Sequence, residues 1–361
     1  MKTFVIFIVA VALEKASDYY WLFALSALAV CSSSSHAEKP VSQGNAELVS
    51  GTWALQQASG IRELQALMPK VIEPALQTPH LRGFCLRFPW KAADEDFSLL
   101  DQGLKIARQY HLDFSVRFMA GRHSPSRIFE NGSPFYTKTT FRGDLEKVPS
   151  PFFPDGSPNL VFEKEYAEYV GRLAQWCRAN GVHLLHLAWY GQDWAELNHG
   201  KEVRALPGYT EANWQRSHMR LIDIGLRYAG EGLAVELPFS GYGPCAASAN
   251  IFADYVVQKI GPSHPLFFCQ ANGWGPKGDW GAPTKEVEDA FDAVWKKKIC
   301  RGEQMIQPKD YDWPQVFQKL YENKATYCEV YAPSFSAEHK KELATEIEKF
   351  AAHVKIKAPL P

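Results

Sequence analysis

The strongest constraint on this sequence is an alternation of short apolar runs with amphipathic segments. Eight runs from residue 48 onward are rich in β-branched and aromatic residues, which is typical of strands. The predicted strands lie at 48–55, 81–88, 112–119, 182–189, 233–239, 265–271, 299–306 and 326–332. Because strands that alternate with helices pair in parallel, this order predicts an α/β fold.

The segments between these runs repeat their apolar residues with the period of an α-helix. The stripe before the fourth strand consists of Tyr166, Tyr169, Val170, Leu173, Trp176 and Cys177. Similar stripes run from Val287 to Trp295 before the seventh strand and from Leu343 to Val354 after the eighth. A first helix is predicted over 61–78, and two internal prolines must break or kink it.

Eight strand–helix units are the number that closes a TIM barrel, (β/α)8, and we predict this fold as a single domain over residues 38–361. The alternative is an open, doubly wound sheet. No GxGxxG or GxxxxGK[ST] motif follows a strand, so no nucleotide cofactor is indicated. The longest insertion, 120–160, follows the third strand and is therefore expected on the face where barrel enzymes place their active sites.

The first 37 residues predict an export signal. Two apolar runs, "MKTFVIFIVAVAL" and "WLFALSALAV", are separated by a charged stretch, and Ser35-His36-Ala37 fits a cleavage site. Both runs are shorter than the roughly eighteen residues of a membrane span. The mature chain is therefore expected to be secreted or periplasmic, without a membrane span. A lipid anchor at Cys31 is the alternative.

Charge and cysteine usage exclude several classes of site. The net charge is -1 with no basic block, so a nucleic-acid partner is not indicated. Cys85, Cys269, Cys300 and Cys328 lie inside apolar runs, where a free buried thiol behaves as a small hydrophobic group. No CxxC pair or His/Cys ligand spacing occurs, so the sequence predicts neither a metal site nor a cofactor.

Polar and aromatic residues gather where the predicted strands end, and in a barrel these ends meet at one rim. From the second to the eighth strand they include Arg87, Trp90, Arg117, Arg122, His123, Trp189, Tyr190, Gln192, Asp193, Trp194, Glu196, Asn198, His199, Glu236, Gln270, Asn272, Trp274, Glu303, Gln304, Glu329 and Tyr331. Aromatic faces stack on sugar rings, and amide or guanidinium groups bond to sugar hydroxyls. The combination indicates a carbohydrate site.

Cleavage of a glycosidic bond needs two carboxyl groups that flank it. One stays protonated to assist the leaving oxygen, and the other attacks the anomeric carbon or activates water. A separation of about 5–5.5 Å gives retention of configuration, and about 6.5–9.5 Å gives inversion.

The strand-two motif "LRFPW", the carboxylate-rich loop after strand four and a Glu on strand seven resemble the clan-A glycoside hydrolases, the barrels that include β-galactosidase-like and cellulase-like enzymes. This resemblance implies an acid/base Glu after strand four and a nucleophile Glu at the end of strand seven, and hence retention. It maps these roles onto Glu196 and Glu303. An Arg on strand two would support the nucleophile, which maps onto Arg87.

The sequence departs from that family at the acid. The usual Asn-Glu pair is replaced by Gln192-Asp193, with Glu196 three residues later. We favour Glu196 over Asp193, because packing beside Trp194 would raise its pKa through desolvation, as a general acid requires. Glu303 lies at the mouth only if its strand ends near residue 304; otherwise Glu329 is the alternative nucleophile.

We therefore expect a secreted glycoside hydrolase that degrades a polysaccharide or oligosaccharide. The predicted sugar subsites consist of Trp90, Trp189, Tyr190, Asn198, Asn272, Trp274 and Tyr331, with Arg117, Arg122 and His123 indicating an anionic sugar. Glu236, Glu329 and Arg117 have a structural alternative, ion pairing inside the barrel. The functional alternatives are a carbohydrate-binding barrel without catalysis and a lyase on acidic glycans, which would use an Arg/His/Tyr centre.

Overall fold

Strands and helices alternate along the chain as the sequence predicts. A computed structural model describes residues 49–140, 143–191, 197, 201–230, 232–239, 244–260, 266–273, 301–305, 312–322, 325–336 and 340–354. The strands are β1 (Gly51–Gln57), β2 (Gly83–Pro89), β3 (Asp113–Met119), β4 (Phe135–Thr139), β5 (Leu145–Pro149), β6 (Leu184–His186), β7 (Ala234–Phe239), β8 (Leu266–Gly273), β9 (Arg301–Met305) and β10 (Tyr327–Tyr331).

Eight of these described strands form one closed parallel barrel in the order β1-β10-β9-β8-β7-β6-β3-β2. The ring closes because β1 pairs in parallel with both β10 and β2. Each predicted run therefore overlaps one barrel strand, and the (β/α)8 prediction is confirmed over the open-sheet alternative. Parallel pairing brings the carboxyl ends of all eight strands to one rim.

The described α-helices follow the strands. They are α1 (Ile61–Leu67), α2 (Glu73–Leu76), α3 (Ser98–Gln109), α4 (Ser126–Glu130), α5 (Leu160–Ala179), α6 (Lys201–Arg204), α7 (Glu211–Tyr228), α8 (Pro244–Ile260), α9 (Trp313–Glu322) and α10 (Lys340–His353). The stripe predicted from Val287 to Trp295 lies outside the described residues. None of the described helices is long and apolar enough to cross a membrane.

Local sequence accounts for where α5 begins and which face it buries. The Asn159 side chain accepts a hydrogen bond from the backbone N–H of Phe162, which satisfies one of the free donors at the helix start. The helix then buries the predicted stripe, including Tyr166, Tyr169 and Leu173, while Trp176 remains half-buried. This face packs against the outside of the barrel.

The two prolines of the first predicted helix have different effects. Pro69 falls in a π-helical turn, Met68–Ile72, that joins α1 to α2. Pro74 lies in the first turn of α2, where its missing N–H costs little. The predicted helix over 61–78 therefore exists as three consecutive segments, with a π-turn at Pro69.

The insertion at 120–160 contains more regular structure than its composition suggests. Strands β4 and β5 form a two-stranded antiparallel sheet, and α4 precedes them. Tyr136 and Val148 are a register pair with both side chains buried, whereas Phe135 and Leu145 are exposed. One buried and one exposed face is the pattern of a surface hairpin.

Candidate active site in the barrel interior

Polar side chains occupy several inward-facing positions of the barrel strands. We define the interior cluster as Cys85, Ser115, Arg117, His186, Glu236, Tyr327 and Glu329, all of which are buried. They come from β2, β3, β6, β7 and β10. Because barrel strands run side by side around a narrow interior, residues far apart in sequence meet there.

Arg117 lies at the centre of the interior cluster. Its Nη2 is 2.8 Å from Glu329 Oε2 and 3.1 Å from Glu236 Oε2, and all three side chains have no solvent exposure. The same nitrogen lies 2.9 Å from Nδ1 of His186. The structural interpretation of these residues, ion pairing across the barrel, is therefore confirmed.

His186 has different partners on its two ring nitrogens. Its Nδ1 makes a short contact with Glu236 Oε2. Its Nε2 lies 3.3 Å from the hydroxyls of Ser115 and Tyr327 and 3.5 Å from Glu329 Oε1. Burial, together with the Arg117 guanidinium, lowers the pKa of His186 well below its ordinary value. The imidazole is therefore neutral near pH 7.

Glu236 and Glu329 are close enough to form a hydrolytic pair. Their Oε2 atoms lie 3.1 and 2.8 Å from the same nitrogen of Arg117, so their separation cannot exceed the sum of these distances. This bound includes the spacing of about 5–5.5 Å found in retaining enzymes. However, both carboxyl groups are fully buried and ion-paired. A sugar has no access to them in this structure.

A second polar group lies at the barrel mouth, which we define as Gln57, Arg87, Gln304 and Tyr331. Arg87 donates a hydrogen bond to Gln57 Oε1 at 3.1 Å, and its guanidinium lies 5.2 Å from the centre of the Tyr331 ring. Gln304 donates to the Tyr331 hydroxyl at 3.2 Å. Gln57 and Tyr331 end their strands and are half-buried, so this mouth cluster can contact a ligand.

Glu303 lies on a different face from the mouth cluster. It is in register with Cys328, whereas its neighbour Gln304 is in register with Glu329. Since successive residues of a strand point to opposite faces, Glu303 points toward the helical layer. This orientation differs from the predicted position of Glu303 at the rim beside Arg87.

Three of the predicted sugar-stacking residues belong to the packed layer between barrel and helices. Trp90 is fully buried and stacks on Tyr169 with ring centres 4.9 Å apart. Trp189 stacks on Phe252 at 5.4 Å, and Tyr190 packs on Phe162 at 4.5 Å. A ring with no exposed face cannot stack on a sugar. The sugar-stacking prediction is therefore corrected for these three residues.

The basic residues predicted to bind an anionic sugar have other partners. Arg117 is ion-paired inside the barrel, and Arg122 lies 3.0 Å from Glu146 of β5. His123 is buried in the short helical turn after β3. The guanidinium groups are therefore already matched by carboxylates, and the expectation of an anionic sugar loses its basis.

Several predicted site residues fall outside the part of the chain that the structure describes. The carboxylates Asp193 and Glu196 and the contacts Asn198 and Trp274 lie outside the described residues. Asn272 belongs to β8, but its side chain lies outside what the structure describes.

The interior cluster was not predicted from the sequence. Cys85, Tyr327 and Ser115 were not among the predicted site residues, and His186 reads as an ordinary core histidine. A signal was nevertheless present: Ser115 and Arg117 stand two positions apart on β3, and so do Tyr327 and Glu329 on β10. Polar residues at every second position of a buried strand indicate a polar interior.

Comparisons with known proteins address the fold. No protein-family model and no curated protein sequence matches this chain. Among solved structures, the catalytic domain of β-amylase from Paenibacillus polymyxa aligns with a TM-score of 0.50 and 10% identity, covering 87% of this chain and 100% of that one. The chain shares this barrel fold. Because unrelated chemistries occur on one fold, an identity this low establishes the fold alone.

Two further structures align at lower TM-scores. Xylanase B from Clostridium stercorarium F9 gives 0.44 with 8% identity, covering 81% of this chain and 88% of that one. A D-allulose 3-epimerase from Methylomonas sp. gives 0.42 with 11% identity, covering 85% of this chain and 98% of that one.

Proposed function

We propose that the protein is a glycoside hydrolase that acts on a polysaccharide or oligosaccharide. The observation that carries the proposal is the mouth cluster. The Arg87 guanidinium lies beside the half-buried ring of Tyr331, Gln304 donates to the Tyr331 hydroxyl, and Gln57 accepts a hydrogen bond from Arg87, all near the carboxyl ends of four strands. This arrangement suits a sugar, whose hydroxyls bond to planar donors and whose C–H face packs on a ring.

The hydrolytic carboxylates are assigned to the segment after β6. We keep Glu196 as the general acid. Asp193, which the sequence offered as the alternative acid, replaces Glu303 and Glu329 as our candidate for the second carboxylate. Among the four carboxylates predicted from the sequence, this assignment is supported because Glu303 faces the helical layer and Glu329 is buried in ion pairs. Retention is the expected outcome if the two carboxyl groups lie about 5–5.5 Å apart.

Two other activities have support from single observations. The burial of both Glu236 and Glu329 favours a carbohydrate-binding barrel without catalysis. The meeting of Arg117, His186 and Tyr327 favours a lyase on acidic glycans. The hydrolase is preferred because the Arg/His/Tyr group is closed to solvent, whereas the mouth cluster has half-buried side chains at the rim.

The test is a screen of the purified chain against a panel of polysaccharides. New reducing ends without ultraviolet absorbance indicate hydrolysis, and an unsaturated, absorbing product indicates a lyase. Binding without any product indicates the non-catalytic barrel. The last two results would each overturn the proposal.

Variants then locate the carboxylates. Glu196→Gln and Asp193→Asn are expected to lower kcat by at least about 100-fold, the scale of one acid–base group. Glu168→Gln, on the exposed face of α5, is the matched control and should keep wild-type turnover. Full turnover in Glu196→Gln would refute its role. A loss of turnover in a stably folded Glu303→Gln would return the nucleophile to strand β9.

Export belongs to the same proposal. The two apolar runs before residue 37 support secretion, which suits an enzyme whose polymeric substrate lies outside the cell. Expression of the full chain in a bacterial host, followed by N-terminal sequencing of the exported product, tests cleavage after Ala37.

A further inference from the structure

Three residues with different metal-binding atoms meet inside the barrel. Cys85 of β2, His186 of β6 and Glu329 of β10 each offer one ligand atom, and these atoms lie within 4.8 Å of one another. All three residues are buried. We propose that they bind a structural zinc ion that ties these three strands together. The proposal does not depend on the glycoside hydrolase assignment.

The orientation of His186 supports this site. Its Nδ1 contacts Glu236, so its Nε2 is left facing Glu329 Oε1 at 3.5 Å. Zinc-binding histidines are commonly held in this way, with a carboxylate on the nitrogen that does not bind the metal. Glu236 would therefore set the tautomer in which Nε2 carries the lone pair for zinc.

Arg117 lies on the other side of the same groups. Its Nη2 contacts Nδ1 of His186 and Oε2 of Glu329, whereas the proposed zinc position is next to Nε2 and Oε1. With the proton on Nδ1, the guanidinium donates to Glu329 Oε2 and Glu236 Oε2 and not to His186, so it holds one ligand directly and His186 only through Glu236. Glu329 would use one oxygen for zinc and the other for Arg117.

The spacing fits a tetrahedral ion after a small movement. With Zn–N and Zn–O bonds of about 2.0–2.1 Å and a Zn–S bond of about 2.3 Å, ligand atoms stand roughly 3–4 Å apart. The distance from Nε2 to Oε1 already lies in this range. The 4.8 Å limit that includes Cys85 requires a side-chain shift of about 1 Å. The Tyr327 hydroxyl lies 3.3 Å from Nε2 and donates a hydrogen bond to Glu329 Oε1, so this hydrogen bond must break for Oε1 to bind zinc.

Zinc binding releases one proton from the protein. The Cys85 thiol releases its proton to solvent as the Zn–S bond forms, and no oxidation or reduction takes place. One divalent ion and one new thiolate together add a single positive charge. They add it to a cluster in which two carboxylates face the Arg117 guanidinium.

The test uses the full chain without an affinity tag, dialysed against a chelator and then titrated with Co²⁺ and Zn²⁺. Co²⁺ is expected to bind one ion per chain and to show thiolate-to-cobalt absorption, which Zn²⁺ then abolishes by displacement. Zinc should also raise Tm. Absence of stoichiometric metal from the folded chain, or cobalt binding without the thiolate band, would overturn the proposal.

Variants identify the ligands. Cys85→Ser should lose the thiolate band, whereas Cys177→Ser, which removes another buried free thiol, should keep it. Glu236→Gln should weaken zinc binding by about 10–100-fold, as expected for a group that orients a ligand. An unchanged cobalt spectrum in Cys85→Ser would overturn the assignment. The wild-type titration decides the proposal even if a variant fails to fold.

Discussion

Arg117 and Glu329 are 212 residues apart in sequence, yet they form a fully buried ion pair at 2.8 Å across the barrel interior. Removing the guanidinium leaves Glu329 and Glu236 buried without their shared partner. Because breaking a buried pair costs about 3–5 kcal/mol, Arg117→Met should lower the free energy of unfolding by that amount. Urea unfolding measures it.

The control for this prediction is an exposed pair. Lys319 and Glu322 lie 3.3 Å apart on α9 with both side chains about half exposed. Lys319→Met should change stability by less than about 1 kcal/mol, because solvent screens such pairs. Equal decreases in the free energy of unfolding of the two variants would show that the buried ion pair contributes no more to stability than the exposed pair.

His218 should account for a large part of the loss of stability at acidic pH. This residue is fully buried and packs on Trp214 with ring centres 4.3 Å apart. Burial lowers its pKa from 6.5 to about 3. Since the folded pKa is depressed, the stability it confers is complete above pH 6.5 and is lost as the pH falls toward 3, by about 1.4 kcal/mol per unit.

The variant His218→Phe keeps a ring in place and removes the titration. Between pH 7 and pH 4, the free energy of unfolding should therefore fall more steeply for the wild type than for this variant. Parallel pH profiles for the two proteins would contradict the assigned cause.

Trp90 should contribute to stability through packing. It contacts Phe118, Phe162, Tyr166 and Tyr169, and its indole N–H donates to Asp94 at 3.0 Å. Trp90→Ala should lower the free energy of unfolding by about 3–5 kcal/mol, the usual cost of removing a buried indole. The half-buried Trp176 provides the comparison, and Trp176→Ala should cost clearly less. Wild-type stability in Trp90→Ala would contradict the packing role.

Tyr331 should act on substrate affinity and have little effect on stability. Its ring lies beside Arg87 and is half-buried at the end of β10. On the glycan that the panel identifies, Tyr331→Ala should raise KM roughly 10-fold, a loss of about 1.4 kcal/mol. Tyr331→Phe keeps the ring and should stay near wild type. If both variants behave alike, the ring face is not the contact.

Gly83 should resist substitution because the base of the barrel is tightly packed. A Cβ at this position would lie 2.4 Å from ring atoms of Trp53 and 2.8 Å from the carbonyl oxygen of Asp113. Gly83→Ala should therefore destabilise by about 1–3 kcal/mol, the usual cost of overpacking. A Cβ at Gly60 meets nothing within 4 Å, so Gly60→Ala should cost less than about 1 kcal/mol. Thermal unfolding compares the two.

Much of the architecture follows from the sequence alone. The alternation of apolar runs and helical stripes predicted eight parallel strands. Five strands lie within the predicted runs, and β1, β2 and β8 extend one or two residues beyond them. This works because burial on both faces of a strand needs a continuous apolar run, whereas a helix buries one stripe. Apolar surroundings likewise predicted that Cys85 and Cys328 are buried free thiols.

Only the closed barrel decided which side chains meet. Glu303 and Gln304 are neighbours in sequence but face opposite sides, because the side-chain period of a strand is two and a shift of one residue reverses the face. The partners of Arg117 come from β6, β7 and β10, and these contacts cannot be predicted from the spacing of residues along the sequence. Metal-ligand motifs are read from short spacings, so the proposed zinc site, whose ligands come from three distant strands, could be inferred only from the closed barrel.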